Sequence, residues 1–220
     1  GVTGVNWNVK LMTINYGNKK KKKKKKSYAY AYKMRKMYNE SNGLKGAFIV
    51  ATNSSWGIDY TKAEEAPLWC AFYDSLGTIG ILSAGATANQ NVNVDVEGDL
   101  PTSCESEYLI AVTNLTSQDL KVTGAGYGSK SVDIGAYGNG TYTVNSSGTY
   151  GGFSGTSGAT PHVAGAIALL YAIDCAKFNN LYKMDPSLAA LTIKDIILSN
   201  TTPNASLLNI TTTGGKLNVY

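Results

Sequence analysis

One serine in this chain stands where a nucleophile could be activated. Ser157 lies in the segment Gly152-Phe-Ser-Gly-Thr-Ser-Gly-Ala-Thr-Pro-His-Val-Ala-Gly165, between glycines and before an apolar run that predicts a buried helix. The first N–H groups of a helix are free and carry a partial positive charge. A serine placed there could attack a carbonyl while its own N–H binds the developing oxyanion. The alternative is an N-cap serine, which is the commoner use of serine at a helix start.

A serine hydroxyl needs a base to take its proton, and His162 is the one histidine in the sequence. His162 follows Ser157 by five positions, and five residues of a helix rotate by roughly 140°, so the two side chains point apart. We therefore expect His162 to be a packed structural histidine. The catalytic base would then lie outside these 220 residues.

The elements that must position Ser157 follow from the pattern of apolar residues. Short apolar runs alternate with helical patterns, which predicts an α/β fold with a mostly parallel β-sheet and helices on both faces. The predicted strands cover residues 9–14, 47–51, 79–84, 109–113 and 132–136, and the predicted helices cover 28–39, 68–76, 161–175 and a segment that begins at Asp185-Pro186.

Three of these helices have a predicted buried face. The predicted apolar stripes are Tyr30, Met34, Met37 and Tyr38 in the first helix, Leu68, Phe72 and Leu76 in the second, and Leu188, Leu191 and Ile196 in the last. No internal repeat and no domain boundary is evident, so residues 1–220 are treated as one domain.

The net charge of +5 does not indicate a nucleic-acid-binding protein. Eight of the 20 basic residues form one poly-Lys segment at 19–26, and the remaining 12 are outnumbered by 15 acidic residues. The segment has three interpretations: a solvated loop extended by like-charge repulsion, a functional basic arm, or an artefact of the sequence. We assign it no role.

Cysteine content and hydropathy limit the compartment only loosely. The three cysteines have no metal-binding spacing; either Cys70 and Cys104 form a disulfide, or all three, including Cys175, are buried thiols. The longest apolar run has 11 residues, too short to span a membrane, and no signal segment is visible.

The segment GTSGATPHVAG resembles the nucleophile motif of the subtilisin-like serine proteases, the subtilases, with Gly158 where methionine is usual. ILSAGATAN, which ends at Asn89, resembles the family strand whose final asparagine completes the oxyanion hole, although Ala88 replaces the usual glycine. VATNSSWG resembles the strand whose edge binds the substrate backbone. These matches are far more specific than an isolated GxSxG motif.

The resemblance implies a role for each matching residue. Ser157 and Asn89 would be catalytic, while Ser55, Trp56, Gly57 and Ala86 would bind substrate. Each residue also has an ordinary structural interpretation. Asn89 could be a turn asparagine, Trp56 a core aromatic residue, and Ser55 any strand serine. The substrate-binding role implied for Ser55 would be carried by its backbone, so its side chain does not decide between the two.

The function implied by the resemblance is serine-type endopeptidase activity on protein or peptide substrates. Subtilases place Asp, then His, then Ser along the chain, and no DTG-like or HGTH-like motif occurs here. The chain therefore resembles the C-terminal portion of a catalytic domain, incomplete at its N-terminus, with the missing residues upstream or on a separate segment. We expect these 220 residues alone to be inactive.

The alternative function is a catalytically inactive, subtilase-like module that binds peptides. In either case we expect no cofactor, no nucleic acid and no membrane partner; calcium is compatible with the family but no site is assigned. Secretion is the family expectation. The acidic stretch with Asp95, Glu97 and Asp99 fails as an EF-hand because Cys104 stands where a bidentate Glu is required, so we expect a solvated loop near the substrate cleft.

Overall fold

The computed structural model describes residues 4–14 and 21–219, and of residues 21–25 the backbone alone. The helices are α1 Lys21–Glu40, α2 Pro67–Gly77, α3 Val94–Glu97, α4 Thr156–Tyr171, α5 Ala176–Met184 and α6 Pro186–Ser199, with a short 3₁₀ turn at Ala63–Glu65. The strands are β1 Ala51–Ser54, β2 Ile58–Asp59, β3 Leu82–Ala86, β4 Asp99–Leu100, β5 Leu109–Leu115, β6 Ile134–Tyr137, β7 Thr141–Val144, β8 Tyr150–Phe153, β9 Thr202–Pro203 and β10 Gly215–Lys216.

The main sheet has six strands in the order β1-β3-β5-β6-β10-β9. The first five strands pair in parallel, and only β9 runs antiparallel to its neighbour β10. Two small antiparallel pairs, β2 with β4 and β7 with β8, lie outside this sheet. Parallel strands place their carboxyl ends at one edge, so the loops after β1 and β3 meet there.

Helices cover both faces of the sheet. The evidence is that adjacent residues of one strand, β5, belong to two different hydrophobic clusters. Ile110 joins a cluster with Val163 and Ile167 of α4 and Ile193 of α6. Its neighbour Leu109 joins a second cluster with residues of α1 and α2. Successive side chains of a strand point to opposite faces, so α4 and α6 cover one face and α1 and α2 the other. The predicted α/β class is confirmed.

One predicted strand, 109–113, lies within β5 and is confirmed, and the predicted strands 79–84 and 132–136 overlap β3 and β6. The other two predictions fare worse. The segment 47–51 supplies Phe48 and Val50 to the core, but the ladder with β3 begins only at Ala51 opposite Leu82. An apolar run predicts which residues are buried, but it does not predict at which residue the strand begins to pair with its neighbour. The predicted strand at 9–14 is wrong: it pairs with none of the described strands, and Leu11 is 89% exposed.

The predictions are confirmed for α2, which agrees with the predicted 68–76 to within one residue, and for the start of α6 at Asp185-Pro186, but not for the bounds of α1 and α4. α4 begins at Thr156, so Pro161 lies inside the helix and not at its first position. It ends at Tyr171, and α5, which the sequence analysis did not separate, follows after Cys175. The described part of the poly-Lys segment belongs to α1 and is therefore not an extended loop; Lys19 and Lys20 lie outside the described residues.

None of the predicted stripe residues of α1 and α6 is fully buried, and in α2 Leu76 alone of the predicted three is. In α1 the buried residues are Tyr28, Ala31 and Arg35, whereas Tyr30 is 48% exposed. The buried faces of the other two helices are Trp69, Tyr73, Leu76 and Gly77 in α2 and Ala189, Ala190, Ile193 and Ile197 in α6. Tertiary packing selects among several apolar faces that the spacing alone cannot rank.

The structure contains the Cys70–Cys104 disulfide, which joins α2 to the segment after β4 across a sequence separation of 34. Cys175 is free and exposed, so the alternative of three buried thiols is wrong. The bond closes a loop that contains β3, α3 and β4.

Candidate functional site

The free N–H groups at the start of α4 single out Ser157. It is the second residue of α4 and is half-buried. The N–H groups of Gly158 and Ala159 donate to the carbonyl of Gly155, and the N–H of Thr156 donates to Asn89 Oδ1 at 3.0 Å. Among the described residues, no acceptor binds the Ser157 N–H. This N–H is therefore free to bind an oxygen placed beside the helix.

Ser55 and Ser157 form a reciprocal pair of hydrogen bonds. The Ser157 hydroxyl donates to the Ser55 carbonyl at 3.2 Å, and the Ser55 hydroxyl donates to the Ser157 carbonyl at 2.9 Å. Pro161, four residues after Ser157, has no N–H to complete the helical hydrogen bond to that carbonyl. The Ser55 hydroxyl replaces it. The side chain of Ser55 thus has a structural role at the start of α4. This role is separate from the substrate-binding role predicted for the Ser55 backbone.

Asn89 is held with its amide in a defined orientation. Its Oδ1 accepts hydrogen bonds from the Thr156 N–H and the Thr156 hydroxyl. Gly155, with φ of 113°, permits this approach, since a Cβ there would lie 2.8 Å from Asn89 Oδ1. Because Oδ1 is engaged, the Nδ2 group is the end of the amide left to donate elsewhere.

A cavity of about 130 Å³ lies beside Ser157. It contains all the predicted substrate-binding residues except Ser55, and its lining is Trp56, Gly57, Asp59, Ala86, Thr87, Ala88, Asn89, Gln90, Asp99 and Ser157. The loop after β1, the end of β3 and the start of α4 therefore meet at one place, as parallel strand ends should. Trp56 also stacks on buried Trp69 at 4.8 Å between ring centroids, so it serves the core and the cavity together.

The prediction that Asp99 belongs to a solvated loop is wrong. Asp99 is 1% exposed and lines the cavity. Its Oδ2 accepts hydrogen bonds from the Ala88 N–H at 2.9 Å and the Thr102 hydroxyl at 2.6 Å. Burial raises the pKa of Asp99 to about 7, because these two hydrogen bonds offset the lost hydration only in part and nearby Asp59 opposes ionisation further.

The other carboxylates of that acidic stretch do not approach the cavity. Asp95 accepts hydrogen bonds from the N–H groups of Lys130 and Ser131 and so holds a neighbouring loop. Glu97 accepts one from the N–H of Asn93 at the start of α3. Nothing in the sequence distinguishes Asp99 from these two residues, because its burial depends on the β2–β4 pairing with Asp59.

His162 lies where the sequence analysis placed it, away from the Ser157 hydroxyl. It is half-buried, and its Nδ1 donates to the Gly158 carbonyl at 2.9 Å, four residues earlier on the same helix. This bond ties the imidazole to the helix that carries it.

Close packing around Gly138 fixes the start of α4, and this predicts a stability effect. A Cβ on Gly138 would lie 2.5 Å from the Ala159 nitrogen and the Gly155 carbonyl oxygen. Gly138→Ala is therefore expected to lower the free energy of unfolding by about 1–3 kcal/mol, the usual range for overpacking. Urea denaturation measures this. Gly152→Ala is the control, because a Cβ on Gly152 meets no atom within 4 Å; equal stability of the two variants would contradict the prediction.

Among residues 4–14 and 21–219, no group of three or more His, Cys, Asp or Glu side chains could hold a metal ion. Within the same ranges no single helix is long and apolar enough to cross a membrane; α4 and α5 meet the criterion only as a pair bent by 105°, and α4 is the core helix.

Comparisons with known proteins point to one family. The model of the subtilase family matches residues 1–214. An extracellular protease of Xanthomonas campestris pv. campestris is 34% identical over 106 residues, which are 45% of this chain and 17% of that protein. Subtilisin-like protease 2 of Plasmodium falciparum is 29% identical over 161 residues, which are 71% of this chain and 12% of that protein.

A solved structure extends the comparison to the fold. The prenylagaramide maturation protease PagA superimposes with a TM-score of 0.60 at 25% identity, over 84% of this chain and 64% of that one. The chain thus spans less than two thirds of each of these relatives.

Proposed function

The chain belongs to the subtilase family, and from that premise we propose that it carries the nucleophile and the oxyanion hole of a serine endopeptidase. The observation that carries the proposal is the combination at the start of α4. Ser157 is half-buried, its N–H has no acceptor among the described residues, and it borders the cavity. Asn89 lines the same cavity, and the Thr156 N–H holds its amide through Oδ1.

In the proposed reaction, Ser157 Oγ attacks the carbonyl carbon of a peptide bond. Its proton passes to an imidazole, which later protonates the leaving amine. The Ser157 N–H and the Asn89 Nδ2 group donate to the oxygen of the tetrahedral intermediate. One such donor is worth about 2.7–4 kcal/mol in the transition state. The serine, the imidazole and the two donors supply all that the reaction needs, so we propose no cofactor.

The imidazole and its orienting aspartate are proposed to come from outside these 220 residues, either upstream or on a separate segment. His162 is unsuited because it follows Ser157 by five positions and is bound to the Gly158 carbonyl. By itself the chain is therefore proposed to be inactive. This proposal would be wrong if the 220 residues alone hydrolysed peptides.

Substrate is proposed to bind along residues 55–57, which continue from the carboxyl end of β1. An extended peptide can pair there through its backbone as an added strand. Ala86, at the end of β3, forms part of the wall of the neighbouring cavity. The partners proposed are thus proteins or peptides, and neither a nucleic acid nor a membrane.

Secretion is the proposed localisation. Disulfides persist mainly in oxidising compartments, and the structure has the Cys70–Cys104 bond. The Xanthomonas relative, an extracellular protease, supports the same proposal.

The test is covalent labelling of the complete protein, including the segment that supplies the imidazole, with a fluorophosphonate probe, which reacts with activated serines. We expect one labelled peptide containing Ser157, identified by mass spectrometry, and no labelling of the Ser157→Ala variant. Ser154→Ala, which changes an exposed serine just before α4, is the matched control and should label normally. If the intact protein stayed unlabelled, the hydrolase proposal would fail and the inactive peptide-binding module would replace it.

A further inference from the structure

The cavity beside Ser157 contains a buried carboxylate with unused hydrogen-bonding capacity. Among the described residues, four buried side-chain polar atoms have no hydrogen-bond partner, and two of them, Thr87 Oγ1 and Asp99 Oδ1, belong to residues that line this cavity. Buried polar atoms normally have partners because leaving one unpaired costs free energy. Such an atom at a cavity wall indicates a partner that arrives with the ligand.

No cation of the described chain neutralises Asp99. The ion pairs of the described residues are Lys36–Glu40 and Lys216–Asp119, and neither involves the cavity. The neighbour of Asp99 is instead a second acidic residue, Asp59, which faces it in the β2–β4 ladder and also lines the cavity. Two carboxylates without a counter-ion make the cavity favourable for a positive charge.

Gly57 lines the cavity together with Asp99. A Cβ built on Gly57 would collide with the carbonyl oxygen of Leu100 and would lie 3.6 Å from Asp99 Oδ1. The Gly57 backbone therefore packs directly against the strand that carries Asp99, with no side chain at this point of the cavity wall. At about 130 Å³, the cavity greatly exceeds the ~10–15 Å³ that one water needs.

The position of the cavity decides which part of a substrate enters it. Ser157 and Asn89 both line it, and the proposed reaction places the attacked carbonyl between the Ser157 hydroxyl and these donors. The side chain nearest to that carbonyl belongs to the residue on its amino side. A cavity that adjoins the nucleophile therefore takes the side chain of the residue immediately before the scissile bond.

We propose that the chain recognises substrates with lysine or arginine immediately before the cleaved bond, and that Asp99 is the residue that pairs with this positive charge. The proposal rests on the proposed function for the identity of the cleaved bond. Asp59, at the more exposed side of the cavity, contributes to the negative potential. A neutral long side chain would leave Asp99 Oδ1 without a partner and would bind less well.

The test compares two peptides that differ only in charge. Fluorescein-labelled tetrapeptides ending in arginine or in the neutral isostere citrulline are titrated against the Ser157→Ala protein at pH 8, and binding is measured by fluorescence anisotropy. We expect the arginine peptide to bind roughly 10–100-fold more tightly, as a hydrogen bond to a charged group implies. Equal affinities, including undetectable binding of both peptides, would overturn the proposal.

Variants then assign the effect to Asp99. Asp99→Asn preserves the shape, and it should reduce the arginine preference to less than about threefold while leaving citrulline binding unchanged. Asp195→Asn makes the same change of charge on the exposed face of α6 and should keep the full preference. An arginine preference that survives Asp99→Asn would overturn the assignment. If Asp99→Asn fails to fold, the comparison of the two peptides on the Ser157→Ala protein still decides whether the cavity prefers a positive charge.

This outcome is separable from that of the proposed function. Selective binding of the arginine peptide together with an unlabelled Ser157 would contradict the proposed hydrolase activity and support the role of Asp99. A labelled Ser157 together with equal binding of both peptides would support the hydrolase activity and contradict the role of Asp99.

Discussion

Replacing Asn89 by leucine is expected to lower kcat of the active protein about 10²–10³-fold with little change in KM. The hydrogen bond from the amide strengthens as the oxygen gains negative charge, so its loss weakens transition-state stabilisation much more than substrate binding. The measurement is steady-state hydrolysis of a fluorogenic peptide. An unchanged kcat would show that Asn89 is an ordinary turn residue.

A second substitution separates donation from anchoring. Asn89 Oδ1 also accepts the Thr156 N–H at 3.0 Å, so leucine removes this anchor together with the donor. Asn89→Asp keeps an acceptor for Thr156 but has no N–H group and adds negative charge beside the oxyanion. We expect it to lose at least as much turnover as the leucine variant. Recovery of kcat in Asn89→Asp would mean that the anchor to Thr156, and not the donor, is what matters.

Local motifs predicted the centre of the site, because each motif lies at the end of a predicted strand or the start of a predicted helix. Asn89, residues 55–57 and Ser157 follow β3, β1 and the start of α4, and parallel strands bring those ends together. A family pattern thus indicated residues that meet at one site although they are far apart in the chain, such as Ser55 and Ser157, which are hydrogen-bonded across 102 positions.

Side-chain burial was much less predictable, because it depends on packing between distant elements. In α2, Leu68, Phe72 and Leu76 have the spacing of a buried stripe, yet Leu68 is 68% exposed. The aromatic residues Trp69 and Tyr73 occupy the core instead. The two faces have similar hydrophobicity, and the choice between them is made by aromatic contacts with α1, such as Tyr28 on Tyr73 at 5.4 Å.

Asp99 illustrates the same limit for a polar residue. Its sequence neighbours Asp95 and Glu97 bind backbone N–H groups of loops, and only the pairing of β4 with β2 places Asp99 in the cavity wall. Arg35 is a parallel case, since it is fully buried on the Phe48 ring at 4.3 Å and donates to the Ile49 carbonyl. Charged residues are rarely buried, so a sequence argument assigns both to the surface.

Removing the disulfide is expected to lower the free energy of unfolding by about 3–4 kcal/mol, the loop-closure value for a loop of this size. Cys70 and Cys104 are 34 positions apart, and the unfolded chain gains the freedom of that loop once the bond is absent. The measurement is denaturant unfolding of the Cys70→Ala/Cys104→Ala double variant against wild type. Cys175→Ala is the matched control, because Cys175 is free and exposed, and it should shift stability by less than about 0.5 kcal/mol.

The same bond is expected to matter to the site more than its distance from Ser157 suggests. The loop that it closes contains β3, Asn89 and Asp99, whereas Ser157 and residues 55–57 lie outside it. If the disulfide restrains this half of the cavity, the double variant should lose arginine-peptide affinity under conditions where it remains fully folded. A variant that is less stable but binds with wild-type affinity would show that β3 and the β2–β4 pair hold the cavity without the bond. Unchanged stability of the double variant would contradict the predicted loss of about 3–4 kcal/mol.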